Sequence, residues 1–149
     1  MSGESFFGKE SLQSRLTIAE EAISVLEKLV SIPENELLSN AIYMFATKGA
    51  FLIFLQAILD LGNYIIADRE LGVPSSYEDL LDILGSHKVL SEKGREKIKE
   101  LLKMRDRILH SSEMTPFKVL LDTVKENMEF FKELLTAIRS QLLSIGQTK

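Results

Sequence analysis

Gly49-Ala50-Phe51-Leu52-Ile53-Phe54-Leu55-Gln56-Ala57-Ile58-Leu59 is the stretch that decides the fold. Apart from Gly49 and Gln56 it is wholly apolar, so a helix built on it has apolar residues on most faces. Such a helix belongs at the centre of a bundle. Lys48, Gln56 and Asp60 bound or interrupt the run. The run is shorter than the roughly 20 apolar residues that span a bilayer, so a buried core helix is expected and no membrane contact. Helical periodicity extends this element to about Glu36–Glu70, and Gly72-Val73-Pro74 ends it.

Working outward, the pattern stays helical. Leu12, Leu16, Ala19, Ile23, Leu26 and Val30 step by three or four, giving a first amphipathic helix that Pro33 closes. After the central helix, Ser75 with Glu78 reads as a capping box, which predicts a short helix over Tyr77–Leu84. Gly85-Ser86-His87-Lys88 breaks the chain again. Ser91 caps a fourth helix reaching about Leu109, with Ile98, Leu101 and Leu102 as its apolar stripe. Thr115-Pro116 reads as a cap followed by proline at the first helical position. The fifth helix then buries Phe117, Leu120, Leu121, Val124, Met128, Phe131, Leu135, Ile138 and Leu142, and stops near Gly146. No segment alternates with period two. The expectation is an all-α antiparallel bundle of four long helices and one short one. It forms a single domain over residues 1–149, with its core in about 10–145.

Composition narrows the function. With 149 residues, 45% of them hydrophobic and 27% charged, the chain has an ordinary globular balance and enough length for a real core. It has no cysteine, which excludes disulfides and thiolate metal sites and fits a reducing, cytoplasmic setting. The N-terminal Met1-Ser2-Gly3-Glu4-Ser5 has no basic stretch of the kind that opens a signal peptide. The net charge of −4 argues against a general nucleic-acid coat, but charge is uneven. Between Ser91 and Arg107 seven basic residues outnumber four acidic ones. A basic helix on an acidic body can face a phosphate backbone. It can equally be a solvated face, because Glu92, Glu96 and Glu100 interleave with lysines at helical spacing.

Chemistry concentrates in Arg105-Asp106-Arg107-Ile108-Leu109-His110. An arginine holds a phosphate by a forked pair of hydrogen bonds, and a histidine moves a proton near neutral pH. On an unbroken helix, residues five apart differ in direction by about 140°. Arg105 and His110 of one chain therefore converge only if the helix ends or bends near Leu109. The plain alternative is that His110 caps helix-terminal carbonyls. Asp60 and Asn63 interrupt the apolar central helix. They read either as a satisfied polar pair or as the group that meets Arg105 or Arg107 and orients it. His87 lies in a polar turn and reads as solvated. Two histidines without carboxylates do not make a usual three-ligand metal site, so no metal or other cofactor is expected.

Three stretches, taken in order, resemble the HEPN superfamily in its HepT-like branch. They are Ala57–Ile66 in the long helix, Leu71–Tyr77, and Met104–His110. The family motif reads arginine, a polar residue (usually asparagine), two variable residues, an aliphatic and histidine, often with tyrosine two positions on. Arg105, Leu109 and His110 match; Asp106 replaces the asparagine, and Ser112 stands where the tyrosine would be. The resemblance implies a helical homodimer whose two motifs line one cleft. It implies a metal-independent RNase toxin, controlled by a nucleotidyltransferase antitoxin that in some pairs adenylylates the tyrosine. On that basis Arg105 and His110 are the catalytic candidates. Asp106, Arg107 and Asp60 are supporting candidates, and Ser112 is a candidate for modification. The alternative function is a non-catalytic helical module that binds a nucleotide or a protein partner.

Overall fold

The computed structural model describes residues 9–110 and 116–148. They form six helices: α1 (Lys9–Val30), α2 (Glu34–Leu38), α3 (Ala41–Asp68), α4 (Tyr77–Ser86), α5 (Glu92–His110) and α6 (Phe117–Thr148). The all-α class is as the sequence indicates. The central helix differs in one respect, since it splits at Ser39-Asn40. Asn40 is extended (φ −125°, ψ 113°), and its Oδ1 accepts a hydrogen bond from the Ile42 N–H. Asparagine is a favoured N-cap, and here that local preference overrides an apolar periodicity that runs on across the break. The bundle therefore has two short helices, not one.

The other boundaries move by a residue or two. Ser76, not Ser75, caps α4 by accepting from the Asp79 N–H at 3.0 Å. Asp79 Oδ2 in turn accepts from the Ser75 N–H at 2.9 Å. Ser91 caps α5 as expected, through a 2.9 Å bond from the Gly94 N–H. Pro116 precedes the first helical position of α6, and Thr115 lies outside the described residues. α6 also continues past Gly146.

α3 is the centre. Its buried Phe51, Phe54, Leu55 and Ile58 pack in one core with Ala19, Ile23 and Leu26 of α1 and Val124, Phe131 and Ile138 of α6. The Phe54 and Phe131 rings lie 5.1 Å apart at a tilt of 48°, a favourable aromatic geometry. Each such side chain stabilises the fold by about 1.5–3 kcal/mol through burial. By length and composition alone α3 could cross a membrane, but 61% of its most apolar window is buried inside this bundle. On its other side α3 carries α4. A Cβ added at Gly62 would lie 2.9 Å from Leu84 Cδ1, so α4 packs almost onto the α3 backbone there. α5 folds back along α4, from Arg95 beside Gly85 to Arg105 beside Tyr77.

One face of α3 stays open. Ile42, Phe45 and Ile53 are 76%, 65% and 51% exposed. A Cβ added at Gly49, between them, would meet nothing within 4 Å. Further along the same stripe come Gln56 and Asp60, so an apolar surface runs directly into a polar one.

Candidate active site

Arg105 sits where α3, α4 and α5 meet. Its side chain is only 18% exposed, unusual for an arginine near a helix end. Its Nη2 donates to Gln56 Oε1 at 3.4 Å. Its guanidinium carbon lies 5.1 Å from the centroid of the Tyr77 ring, within cation–π range. The group lines a 380 Å³ cleft with Tyr77, Glu78, Glu96, Lys99, Leu102, Lys103 and Asp106. Tyr77 also borders a second, more open hollow, shared with Asp60, Asn63, Ser75 and Ser76.

Asp60 does not meet an arginine of α5. Its Oδ2 accepts from Arg15 Nη1 of α1 at 2.9 Å. Its Oδ1 accepts from Gln56 Nε2 at 2.9 Å. The expected contact with Arg105 is thus indirect, with Gln56 between them. The reason is geometric: Gln56 lies one turn before Asp60 on the same helix face, and its longer side chain reaches Arg105 first. Asn63 is exposed and borders, beside Asp60, that second hollow and a smaller one lined by Arg15, but not the Arg105 cleft. Arg107 is exposed and takes no part in this network.

α5 ends at His110, one residue past the expected Leu109, and is regular up to that residue, so no bend turns His110 back toward Arg105. Arg105 and His110 of one chain therefore point in different directions. His110 is exposed in the last turn of α5. Leu109 beside it is 49% exposed. The Asp106 carboxylate is 66% exposed and stands 4.0 Å from Arg105 Nη1. Ser112 lies outside the described residues. His87 is exposed at the C-terminal cap of α4, far along that helix from Tyr77.

Two lysines add to Arg105 in the cleft, against the carboxylates of Glu78, Glu96 and Asp106. Lys99 bridges to Asp82 at 2.9 Å, which holds its ammonium above the ordinary lysine range and the Asp82 carboxyl below its own. Lys99 stays charged at the cleft but is partly neutralised by its neighbour. Lys103 adds a second ammonium to the lining. Among the described residues no three histidine, aspartate or glutamate side chains gather as metal ligands would.

Sequence reading missed Gln56, Tyr77 and Arg15 as site residues. Gln56 carried a signal, being the one polar break within the apolar run and one turn from Asp60. Tyr77 was masked by its place at a helix start, and Arg15 by its place on a different helix.

Comparison with known proteins agrees with this architecture. Residues 19–138 match the family model described as ribonuclease HepT-like. The mRNA nuclease HepT of Shewanella oneidensis is 20% identical over 101 residues, 65% of this chain and 76% of that protein. YutE of Bacillus subtilis is 29% identical over 90 residues, 60% of this chain and 62% of its own length. Among solved structures, the tri-AMPylated S. oneidensis HEPN toxin in complex with MNT antitoxin superposes with a TM-score of 0.79 at 14% identity, over 87% of this chain and 96% of that one. The structure of YutE, described as a cytosolic protein, gives 0.78 at 23% identity over 91% of both chains.

Proposed function

The chain belongs to the HepT-like ribonuclease family, and from that premise we propose that it is a metal-independent endoribonuclease toxin acting in the cytoplasm as a homodimer. The reaction is attack by a ribose 2′-OH on the adjacent phosphorus. The 2′-O–P bond forms, the P–O5′ bond breaks, and a 2′,3′-cyclic phosphate remains. One group takes the 2′-OH proton and another gives a proton to the departing 5′ oxygen. Each chain carries one motif histidine, so two copies of His110 supply the two roles. Arg105 stabilises the negative charge that builds on the phosphate, with Arg107 assisting from the exposed side of α5.

The observation that carries this reading is the setting of Arg105. A guanidinium is held only 18% exposed in an open cleft that Lys99 and Lys103 line along with Glu78, Glu96 and Asp106, so it is the fixed placement of Arg105, not a net positive lining, that carries the reading. Such a group is fixed in place to meet an anion. The dimer reading rests on the open stripe of α3. Ile53 lies one turn before Gln56, and Leu109 lies one turn after Arg105. Both exposed apolar side chains therefore flank the Gln56–Arg105 contact. A second copy covering that face would bring its own α5 end to the same cleft.

The relatives with antitoxin complexes support a nucleotidyltransferase partner for this chain too. Its docking place is the end of α5 beside His110, where bulk or an added nucleotide would occupy the phosphate position. Ser112 is a weaker acceptor than tyrosine, because an aliphatic alcohol is a poorer acid and has less reach. Steric covering is therefore favoured over modification there. The assay is cleavage of RNA by the purified protein, with loss of cleavage in Arg105→Ala. Full cleavage in that variant overturns the assignment of the site. Co-expression with a nucleotidyltransferase encoded beside it, followed by intact mass, tests the partner. An AMP increment at Ser112 contradicts covering, and failure to associate removes the partner.

A further inference from the structure

We infer that Gln56 is the positioning residue for Arg105, and that Asp60 acts on the site only by setting which way the Gln56 amide faces. This rests on Arg105 being the phosphate-binding group proposed above. The chain of contacts is Arg15–Asp60–Gln56–Arg105, with distances of 2.9, 2.9 and 3.4 Å. It joins α1 and α3 to the motif helix.

The direction of each bond follows from the groups. An ionised carboxylate accepts and never donates, so it faces the NH2 end of the Gln56 amide. The amide oxygen is then turned toward Arg105, a group with donors and no acceptor. The reverse orientation would set a carbonyl against a carboxylate and an NH2 against a guanidinium. Both contacts would be repulsive, so Asp60 selects one amide orientation. Arg15 pairs with the other Asp60 oxygen and keeps that carboxylate from drawing Arg105 to itself. Gln56 is neutral, so it fixes the guanidinium without cancelling its charge. A carboxylate in the same place would fix it equally well but leave less positive potential for RNA. The Tyr77 ring limits the second degree of freedom, the tilt of the guanidinium plane. One hydrogen bond and one ring face together define an orientation; of the other N–H donors, Nη1 stands 4.0 Å from the Asp106 carboxylate, and the rest are left to meet a phosphate.

The roles separate in two variants. Gln56→Ala frees the guanidinium, and a misplaced catalytic group costs roughly ten- to hundredfold in kcat with little change in KM. Gln56→Glu keeps the acceptor but adds charge, so KM for RNA rises more than kcat falls. Nitrogen-15 NMR of the RNA-free protein gives a readout independent of cleavage, with the Arg105 side-chain signals assigned by their loss in Arg105→Lys. Wild type should show separate Nη signals from hindered rotation. Gln56→Ala should merge them, and Gln56→Glu should keep them separate. Unchanged Arg105 signals in Gln56→Ala overturn the inference, whatever the activity. Wild-type protein that cleaves no RNA overturns the ribonuclease reading instead, and the NMR comparison still decides the role of Gln56.

Discussion

Arg105 lies against the ring of Tyr77, its guanidinium carbon 5.1 Å from the ring centroid. The first residue of α4 thereby forms one wall of the site on α5. The attraction between cation and ring face needs the ring, while the hydroxyl only accepts a long 3.5 Å hydrogen bond from Gln56 Nε2. Tyr77→Phe should retain most RNA cleavage, whereas Tyr77→Ala should lower kcat by about tenfold, a misplacement effect. Steady-state kinetics on one RNA substrate compare the two. Equal losses would show that the hydroxyl, not the ring, matters.

The open face of α3 makes a second prediction. Phe45→Glu and Ile53→Glu place charge on side chains that are 65% and 51% exposed in the single chain. The fold of one chain should therefore survive, while pairing through this face should not. Light scattering at micromolar concentration should report a dimer for wild type and a monomer for both variants, with unchanged helical circular dichroism. A dimer that persists in both places the interface elsewhere.

Packing at the centre sets the cost of core changes. Phe131 is fully buried against Phe54, and Phe131→Ala should destabilise the chain by about 3–5 kcal/mol. Gly62→Ala puts a methyl 2.9 Å from Leu84 Cδ1, and overpacking of this kind costs about 1–3 kcal/mol. Urea denaturation measures both. A neutral Gly62→Ala would mean that the Leu84 side chain turns aside freely.

Asp82 and Lys99 give the pH dependence a definite shape. The Asp82 carboxyl is held below its ordinary value by its hydrogen bond from Lys99, so its contribution is complete above the ordinary carboxylate range and disappears as pH falls through the lowered value. Lys99 is held above its ordinary value by the same bond, so its contribution is complete below the ordinary lysine range and disappears as pH rises through the raised value. The pair thus stabilises α4 against α5 across neutral pH and weakens at both extremes. Melting curves of wild type and Asp82→Asn should differ at neutral pH and converge in strong acid. A constant gap down to strong acid would assign the effect to something other than this pair.

Much of the architecture was legible because it depends on periodicity. The run around Phe51–Leu59 required a buried central helix, and Ser91 marked the start of α5 through a local hydrogen bond. The break at Asn40 was hidden, because the apolar spacing of Leu37, Leu38 and Ile42 continues across it while the cap depends on one side chain. The site was legible only in part. Arg105 and His110 stood out by chemistry and by motif. The partner of Asp60 did not, because Arg15 lies on another helix and its distance along the chain carries no trace of contact. Gln56 is visible in the sequence as a polar interruption, yet its role follows only once α5 is laid beside α3.

The most direct test of the central claim is the end group left on RNA cut in the presence of EDTA by wild type and by His110→Ala. Two motif histidines acting without a metal predict chelator-insensitive cleavage by wild type, 2′,3′-cyclic phosphate ends, and no cleavage by His110→Ala. Chelator-sensitive cleavage, 3′-hydroxyl products, or full activity in His110→Ala would contradict it.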